Sequence, residues 1–350
     1  MDIKKKFLII RLSALGDIVH CLPVANAIRE KYKDAQIDWV VGDNSSALIK
    51  NNPLIDNVYI ANLSKWKKNW LSPTTIKEIC ELNKRLQKEN YDYSIDLHGM
   101  FKSLIINAFC GAKHRIGYKD YKEFATLACN FLMEPKSKRP HRNYHIVQRN
   151  LDLLRAFDIL TKEELENVKP KAILPESSIE TKKNIDDLLL NINKEKPIVI
   201  FAPATTWDTK HWLEANWQKL YQELKDETNI IFSGVKKDIE LINRITKNDE
   251  KAIILAGKTN LSEYIELLKR AKVVISPDSS AAHFAWALGV QTITLFCATS
   301  KNTFAPIGNI AFPKGKEICI PCHKRKCKNP VCTFQTSALE VANEVRELIK

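Results

Sequence analysis

Polar residues at one predicted strand-to-helix corner have the types and spacing to bind a phosphate group. Residues 273–276 form a β-branched run typical of a buried strand, and Asp278 and Ser279 are residue types that cap helices. His283 falls in the first turn of the predicted helix. The first N–H groups of a helix lack intrahelical partners and its dipole is positive there, so an anion would be stabilised at this corner. The alternative is an ordinary capped helix with a hydrogen-bonded core histidine.

A second corner could supply a cation to the same phosphate. Residues 197–202 predict a strand, and the polar loop that follows carries Lys210. Further strands are predicted to end at Ser233 and Leu255, which delivers small or polar residues to the edge where open α/β sheets bind nucleotides. The Gly-x-Gly-x-x-Gly fingerprint and the Walker loop are missing after these strands. Dinucleotide-dependent oxidoreductases and P-loop ATPases are therefore disfavoured.

The N-terminal half offers a carboxylate at an equivalent position. Residues 7–10 are apolar and end at Arg11, which we interpret as a buried first strand, and Asp17 lies in the loop that follows. A carboxylate there could act as a general base, or it could simply cap the next helix. Residues 93–97 predict another strand, which leads into a corner at residues 98–103.

Two basic runs and the net charge point to an acidic partner. Residues 65–70 interleave lysines with tryptophans, which suits phosphate or carboxylate groups at a membrane interface, although a solvated loop is the alternative. Residues 136–142 favour a solvated face. The net charge of +13 fits nucleic acid, an anionic membrane or a phosphorylated substrate. No apolar run reaches the 18 residues or so of a membrane-spanning helix.

Cysteine spacing suggests a structural metal as one of several readings. Five of the nine cysteines are scattered in apolar sequence, as reduced core cysteines are. The other four, Cys319, Cys322, Cys327 and Cys332, could hold one tetrahedral zinc, but the second pair is CxxxxC rather than CxxC. Free thiols or disulfides are the alternatives. A catalytic metal is disfavoured because four thiolates leave no open coordination position.

The alternation of strands and helices over 350 residues predicts two α/β domains. The charge-rich segment 161–193 is the expected junction between them. Four motifs then carry a resemblance that spans nearly the whole chain: Arg-Leu-Ser-Ala-Leu-Gly-Asp-Ile-Val-His (11–20), Asp-Leu-His-Gly-x-x-Lys-Ser (96–103), Ala-Thr-Thr-x-Asp-x-Lys-His-Trp (204–212) and Ser-Pro-Asp-Ser-x-x-x-His-x-x-x-Ala-Leu-Gly (276–289). Together they resemble the ADP-heptose:lipopolysaccharide heptosyltransferases. The loop at residues 65–70 is most similar to that of the members that add the first heptose to Kdo on lipid A.

The resemblance implies an α/β GT-B fold, in which two Rossmann-like domains with mostly parallel sheets face each other across a cleft. It implies an acceptor-binding domain over residues 1–175, an ADP-heptose-binding domain over 176–336, and a C-terminal helix over 337–350 that packs back toward the N-terminal domain. The implied activity is inverting, metal-independent transfer of L-glycero-D-manno-heptose from ADP-L-glycero-β-D-manno-heptose to Kdo of Kdo-lipid A. The implied location is the cytoplasmic face of the inner membrane, with its anionic surface as a partner. Alternatives within the family are heptosyltransferase II and another ADP-sugar transferase.

The matching positions imply site residues. Asp17 matches the general base and Lys210 the lysine on the donor phosphates, and no cofactor is required for catalysis. Further donor-binding positions are Ser13, Thr205, Thr206, Asp238, Asp278, Ser279, Ser280 and His283, and the acceptor-binding positions are Lys67, Lys68, Lys102 and Lys122. Ser280 stands where the family commonly has glycine. A rival from another class, a basic nucleic-acid-binding protein with a zinc module, lacks an RRM, OB or helix-turn-helix pattern, so we predict no nucleic-acid partner.

Overall fold

The computed structural model of the chain describes residues 4–136, 144–315, 318–319 and 321–350. Most of the basic run at residues 136–142 lies outside the described residues. The chain forms two compact units, Met1–Glu176 (unit 1) and Ser177–Lys350 (unit 2). Among the described residues, no helix is long and apolar enough to cross a bilayer.

Unit 1 contains a six-stranded parallel sheet in the order β3-β2-β1-β4-β5-β6. Its strands are β1 (Lys6–Ile10), β2 (Gln36–Gly42), β3 (Asn57–Ala61), β4 (Tyr93–Asp96), β5 (His114–Tyr118) and β6 (Phe131–Met133). Its helices are α1 (Leu15–Val19), α2 (Leu22–Lys31), α3 (Leu63–Trp66), α4 (Pro73–Gln87), α5 (Phe101–Phe109), α6 (Ile146–Asp152) and α7 (Lys162–Asn167). Pro23 lies in the first turn of α2, where its missing N–H costs no hydrogen bond.

Unit 2 repeats this architecture with a six-stranded parallel sheet in the order β12-β11-β10-β7-β8-β9. Its strands are β7 (Ile198–Phe201), β8 (Asn229–Phe232), β9 (Ile253–Ile254), β10 (Val273–Pro277), β11 (Gln291–Leu295) and β12 (Ile310–Phe312). Its helices are α8 (Ile179–Leu188), α9 (Glu214–Leu224), α10 (Ile239–Thr246), α11 (Leu261–Lys269), α12 (Ser280–Ala287), α13 (Lys301–Phe304) and α14 (Ala338–Ile349). The predicted α/β class is confirmed in both units.

The two sheets have the same topology, because each places its first and fourth strands in sequence side by side. In unit 1 these are β1 and β4, and in unit 2 they are β7 and β10. The strand order reverses at each of these pairs, and open α/β sheets bind ligands at the carboxyl ends of such a pair. The fold therefore directs attention to the loops after β1, β4, β7 and β10.

The C-terminal helix α14 packs inside unit 2. Its apolar residues, among them Val341 and Val345, share one core cluster with Trp212 and Trp217, and α14 lies against α9. A capping box formed by Ser337 and Glu340 begins the helix. The expectation that this helix packs toward the N-terminal domain stays a prediction.

Candidate active site

The loop after β1 holds an ion pair whose carboxylate lies toward solvent. Asp17 Oδ2 is 2.7 Å from Arg11 Nη2, and it also accepts a hydrogen bond from the Ala14 N–H. Arg11 Nη1 donates to the Leu97 carbonyl at the end of the neighbouring strand. Burial alone would lower the pKa of Arg11, but the adjacent Asp17 carboxylate, aided by nearby Cys21 and Tyr121, raises it above its usual value. Asp17 thus contributes to the start of α1 and is also the exposed member of a charged pair.

The corner after β4 is organised by the buried carboxylate of Asp96. Its two oxygens accept hydrogen bonds from the His98 N–H (2.9 Å), the Gly99 N–H (3.0 Å) and the Ser103 hydroxyl (2.9 Å). Burial raises the pKa of Asp96 to about 6, although these donors act in the opposite direction. Gly99 has a φ of +65°, and a Cβ there would meet the ring of Tyr121 at 2.4 Å. The sequence therefore needs glycine at this corner for both conformation and space.

His98 lies in the same corner as a neutral imidazole. It is buried beside Arg11, Asp17 and Lys102, and burial followed by the Arg11 charge lowers its pKa to about 3. The backbone of Ser13 approaches the ring. Ser13 is therefore positioned with Asp17 in unit 1, and its predicted contact with the donor stays a prediction.

The predicted acceptor lysines lie around this corner. Burial and then the charge of Lys67 lower the pKa of Lys102, so these two cations, which the sequence separates by more than thirty residues, are close enough to repel each other. Lys68 is exposed in the same loop as Lys67. The Lys122 N–H donates to the Gly99 carbonyl at 3.3 Å, which places this lysine beside the corner as well. An anionic group would relieve the repulsion between Lys67 and Lys102.

The basic loop at residues 65–70 is only partly the interfacial loop that its composition suggests. Trp66 is buried in the core of unit 1 and its indole N–H donates to Glu78 at 2.9 Å. Lys65 forms an ion pair with the same Glu78. Trp70 is half-buried, and its ring lies 6.1 Å from that of Phe101. Of this loop, Lys67 and Lys68 therefore remain as the exposed cations that could meet a ligand.

Unit 2 contains the second charged pair, at the equivalent place. Lys210 Nζ is 2.7 Å from Asp278 Oδ2 and 3.3 Å from the Asp278 carbonyl. The Thr299 hydroxyl donates to Asp278 Oδ2 at 2.7 Å, and His283 Nε2 lies 3.5 Å from Asp278 Oδ1. Burial would raise the pKa of Asp278, but Lys210 and His283 hold it well below its usual range. The structure therefore brings together Lys210, Asp278 and His283, as the sequence predicts.

The start of α12 differs from the expectation in how it is capped. Ser279 is the N-cap residue in an extended conformation, but its side chain makes no capping hydrogen bond. The Asp278 carboxylate does not cap the helix either, since Lys210, Thr299 and His283 surround it. Ser280 is the first helical residue and has no positive φ, so a glycine is not required there. The N-terminal N–H groups of α12 thus receive no side-chain cap from Ser279.

The other predicted donor residues are less closely grouped. The Thr205 carbonyl lies 3.1 Å from His211 Nε2, which ties the loop after β7 together, and Thr206 is exposed. Asp238 Oδ2 accepts from the Val235 N–H at 2.8 Å, so this carboxylate stabilises its own loop after β8. The donor role of Asp238 stays a prediction.

The four clustered cysteines do not form a metal-ligand set as arranged. Among the described residues, no group of three or more histidine, cysteine or acidic side chains could hold a metal ion. The side chain of Cys332 is instead within hydrogen-bonding reach of the buried Cys297, and this interaction lowers the pKa of Cys332. Structural zinc therefore stays a prediction without support from this geometry, and no role is derived from it. Cys80, expected in the core, is exposed.

Several residues that shape these corners have no role predicted from the sequence. Arg11 and Asp96 are motif positions without a predicted role, and Thr299 and Arg325 are not among the predicted site residues. The Arg325 guanidinium lies 5.0 Å from the Trp207 ring and Lys210 Nζ lies 4.8 Å from the same ring, so two cations share one aromatic side chain. The basic composition of residues 324–328 is the feature of the sequence that indicates Arg325.

Comparison with known proteins identifies a family for the chain. The family model of glycosyltransferase family 9 (heptosyltransferase) matches residues 79–332. Lipopolysaccharide heptosyltransferase 1 of Pseudomonas aeruginosa is 24% identical over 325 residues, which cover 92% of this chain and 87% of that protein. Lipopolysaccharide heptosyltransferase 2 of Escherichia coli K12 is 23% identical over 314 residues, 87% of this chain and 86% of that protein.

A solved structure confirms the fold. The structure of E. coli heptosyltransferase WaaC with ADP-2-deoxy-2-fluoro heptose superposes with a TM-score of 0.73 at 21% identity, over 98% of this chain and 99% of that one. The predicted GT-B type, with two Rossmann-like units, is confirmed by this likeness. Because the family model covers more than half of the chain, the chain belongs to glycosyltransferase family 9, the heptosyltransferase family, and is a glycosyltransferase.

Proposed function

We propose that this chain transfers L-glycero-D-manno-heptose from ADP-L-glycero-β-D-manno-heptose to Kdo of Kdo-lipid A, in lipopolysaccharide inner-core biosynthesis. The proposal rests on two ion pairs, one in each unit. In unit 1 the more exposed member is the Asp17 carboxylate, paired with Arg11, and in unit 2 it is the Lys210 ammonium, paired with Asp278. A sugar transfer from a nucleotide diphosphate needs a base for the acceptor and a cation for the leaving group, and these corners offer one of each.

The chemistry needs no metal ion or other cofactor. The acceptor hydroxyl oxygen forms a bond to the anomeric carbon, and its proton passes to the Asp17 carboxylate. The bond between the anomeric carbon and the diphosphate oxygen breaks, and its electron pair leaves with ADP. Attack from the face opposite the diphosphate inverts the anomeric configuration. Arg11 orients Asp17 through their ion pair, because the Arg11 guanidinium is itself fixed by the Leu97 carbonyl.

Unit 2 supplies the groups that stabilise the diphosphate. Lys210 meets a phosphate oxygen in the bound donor and interacts more strongly as negative charge develops on ADP. The uncapped N–H groups of α12 lie directly after Asp278 and favour an anion through the helix dipole. Arg325, which shares the Trp207 ring with Lys210, adds a second positive charge beside this corner.

Unit 1 supplies the acceptor contacts. Lys67, Lys68, Lys102 and Lys122 bind the carboxylate and phosphate groups of the acceptor, and the repulsion between Lys67 and Lys102 is the structural support for this role. An acceptor embedded in a membrane places the enzyme at the cytoplasmic face of the inner membrane, bound peripherally to its anionic surface. The net charge of +13 supports such an association.

Relatives of both the first and the second heptosyltransferase match this chain at nearly equal identity, so identity does not choose between them. We favour the first because of the basic loop at residues 65–70. Heptosyltransferase II or another ADP-sugar transferase of the family is the alternative.

The test is ADP release by the purified protein with ADP-heptose and two acceptors, Kdo-lipid A and Kdo-lipid A that already carries one heptose. Binding to double-stranded DNA is measured separately. We expect turnover with Kdo-lipid A alone. Turnover restricted to the heptosylated acceptor would show the second heptosyltransferase, and salt-dependent DNA binding without ADP release would favour the nucleic-acid rival.

A further inference from the structure

An apolar groove lies on unit 1 between α4 and α5, closed at one end by the loop before α4. We call it the α4–α5 groove, and its volume is about 480 Å³, within the range of about 300 to 1,000 Å³ that ligand sites occupy. Apolar side chains line it, including Trp70 and Leu71 from the loop, Ile76 from α4, and Phe101 and Phe109 from α5. None of the proposed catalytic steps uses these side chains.

The groove is open to solvent at its apolar rim. Leu71 is 85% exposed and Phe109 is 59% exposed, and Ile76 and Phe101 are also exposed. Such side chains placed next to one another are uncommon on a monomeric soluble protein, and an apolar patch of this kind marks an interaction surface. Helix α5 contributes Phe101, Ile105 and Phe109 to it, because its sequence Phe-Lys-Ser-Leu-Ile-Ile-Asn-Ala-Phe has apolar residues on the outer face as well as the inner one.

The polar side chains of α4 near the groove hold its walls together. Asn83 Nδ2 donates to the Ile105 carbonyl at 3.4 Å, and Gln87 Nε2 donates to the Phe109 carbonyl at 2.9 Å. These bonds connect α4 to the C-terminal half of α5. At the other end of α5, the edge contact of Trp70 with Phe101 joins the loop to the helix. The groove is therefore fixed from both ends.

Several positive charges lie beside this apolar surface. Lys84 lines the groove, Lys102 follows Phe101 on α5, and Lys67 and Lys68 are exposed in the loop that leads to Trp70. Acidic side chains also lie nearby, but Glu78 is occupied by Lys65 and the Trp66 indole, and Glu123 accepts a hydrogen bond from the Phe101 N–H at 3.0 Å. An apolar surface bordered by lysines is complementary to an anionic amphiphile, since the lysines meet the phosphates while the apolar side chains meet the hydrocarbon.

We propose that the α4–α5 groove binds an acyl chain of an anionic bilayer, with Leu71 and Phe109 inserted among the lipid tails and the lysines on the lipid phosphates. This site deepens the proposed function, on which it rests, because it would hold unit 1 at the surface that presents a lipid-linked acceptor. Its apolar lining is distinct from the acceptor corner, because none of the groove-lining residues is a proposed acceptor contact, whereas Lys67, Lys68 and Lys102 lie beside both.

The first experiment measures co-sedimentation of the full chain with vesicles of phosphatidylglycerol and phosphatidylethanolamine. The double variant Leu71→Glu with Phe109→Glu should bind these vesicles at least about tenfold more weakly than the wild type, since each change puts a carboxylate at the apolar contact. The matched control is Ile179→Glu with Leu190→Glu, which alters two exposed apolar residues of unit 2 and should leave binding unchanged. Equal vesicle binding by the groove variant and the wild type, with both folded by circular dichroism, would overturn the proposal.

The second experiment needs no substitution, because Cys80 lines the groove and is exposed. Its rate of maleimide labelling should fall severalfold when anionic vesicles are added, while the exposed Cys319 and Cys327 of unit 2 keep their rates as internal controls. Mass spectrometry of the digested protein reports each site. Unchanged Cys80 labelling on bound vesicles would contradict the proposal, and Cys80 protection that rises with protein concentration in the absence of lipid would show that a second copy covers the groove instead.

Turnover separates this site from the proposed function. With a water-soluble Kdo acceptor that lacks acyl chains, the groove variant should match the wild type, whereas with vesicle-embedded acceptor its rate should fall. Equal rates on both acceptors would overturn the groove and leave the function standing. A wild type that binds vesicles through the groove but transfers heptose to neither acceptor would overturn the function alone.

Discussion

The two units have sheets of the same strand order, yet they present opposite charges at corresponding corners. In unit 1 the arginine is the more buried member of the pair, since the Arg11 side chain is 15% exposed and that of Asp17 is 43% exposed. In unit 2 the carboxylate is the more buried member, with Asp278 6% and Lys210 16% exposed. One topology therefore places an anion outward in one unit and a cation outward in the other. The buried partner in each pair orients the outer one.

Two carboxylates at the carboxyl ends of the fourth strands, Asp96 in unit 1 and Asp278 in unit 2, differ in the direction of their pKa shifts. Asp96 is the last residue of β4 and accepts hydrogen bonds from two N–H groups and a hydroxyl, and burial raises its pKa to about 6. Asp278 follows β10 and has Lys210 at 2.7 Å, and its pKa lies well below the usual range. The two carboxylates thus have opposite pKa shifts, because a lysine from the loop after the first strand pairs directly with Asp278 whereas uncharged donors surround Asp96. We infer that Asp96 maintains a loop whereas Asp278 supports a functional cation.

The largest expected effects come from removing the outward member of each pair. Asp17→Asn should keep its affinity for ADP-heptose and lose a factor on the order of 10² to 10⁴ in turnover, because only proton removal is affected. Lys210→Ala should lose both donor affinity and turnover, since the cation meets phosphate in the ground state and more strongly as the leaving group forms. Calorimetric titration with a non-hydrolysable donor analogue and steady-state assays measure the two quantities.

Circular dichroism of both variants serves as the control for folding. Near-wild-type turnover by Asp17→Asn would show that Asp17 only caps its own loop through the Ala14 N–H, and that another group is the base. Unchanged donor affinity of the Lys210→Ala variant would show that Lys210 does not bind the donor.

The second prediction removes a buried member. Asp278→Asn leaves Lys210 without its paired charge, so the free energy of unfolding should fall by about 3 kcal/mol and donor affinity should fall with it. Thr299→Val is the matched control, because it deletes one hydrogen bond to the same carboxylate and keeps the ion pair. Urea unfolding and donor titration measure stability and donor affinity in both variants. Equal losses in Asp278→Asn and Thr299→Val would contradict a special role for the ion pair.

Much of this arrangement could be predicted from the sequence, because it depends on local pattern. The β-branched run at residues 273–276 gives β10, and polar residues after apolar runs indicate the corners. Motif positions then located Asp17, Lys210 and the acceptor lysines. These features need only strand and helix periodicity and the rule that parallel strands end at one edge.

The missing parts depend on contacts between distant segments. Lys210 and Asp278 are 68 residues apart, so their pairing follows from the adjacency of β7 and β10 and not from spacing. The sequence also cannot show that Trp66 is buried against Glu78 while Trp70 is left at a groove, since both tryptophans have the same neighbours in composition. The α4–α5 groove itself combines three segments, none of which looks unusual alone.

The third prediction uses the raised pKa of Asp96. Asp96 has a pKa of about 6 in the folded protein and 3.8 in the unfolded chain. Between these pH values its carboxyl group is mostly protonated in the folded protein and mostly ionised in the unfolded chain, so folding takes up a proton. The free energy of unfolding contributed by this group is therefore largest below pH 3.8 and declines as the pH rises to about 6. Asp96→Asn removes this pH dependence. As the pH rises from about 4 to about 7, the free energy of unfolding of the variant should therefore increase relative to that of the wild type by on the order of 1 to 3 kcal/mol.

Urea unfolding of both proteins across this range measures the difference. Asp278 acts with the opposite sign, because a depressed pKa contributes stability that is lost as the pH falls below its ordinary value. A constant difference between wild type and Asp96→Asn at every pH would mean that Asp96 titrates normally.

The smallest expected effect, and the finest comparison, lies within the basic loop of unit 1. Lys67→Ala with Lys68→Ala should raise the acceptor KM about tenfold and leave the donor KM unchanged, because these exposed cations meet the acceptor and not the donor. Lys65→Ala is the matched control, since Lys65 lies in the same loop but is paired with Glu78, which should make its effect on either KM small. Lys102→Ala should resemble the double variant, because relief of its repulsion with Lys67 is the reason an anion is favoured there. If Lys65→Ala raised the acceptor KM as much as the double variant does, the general positive charge of the loop would explain binding and a specific site at Lys67 and Lys102 would be wrong.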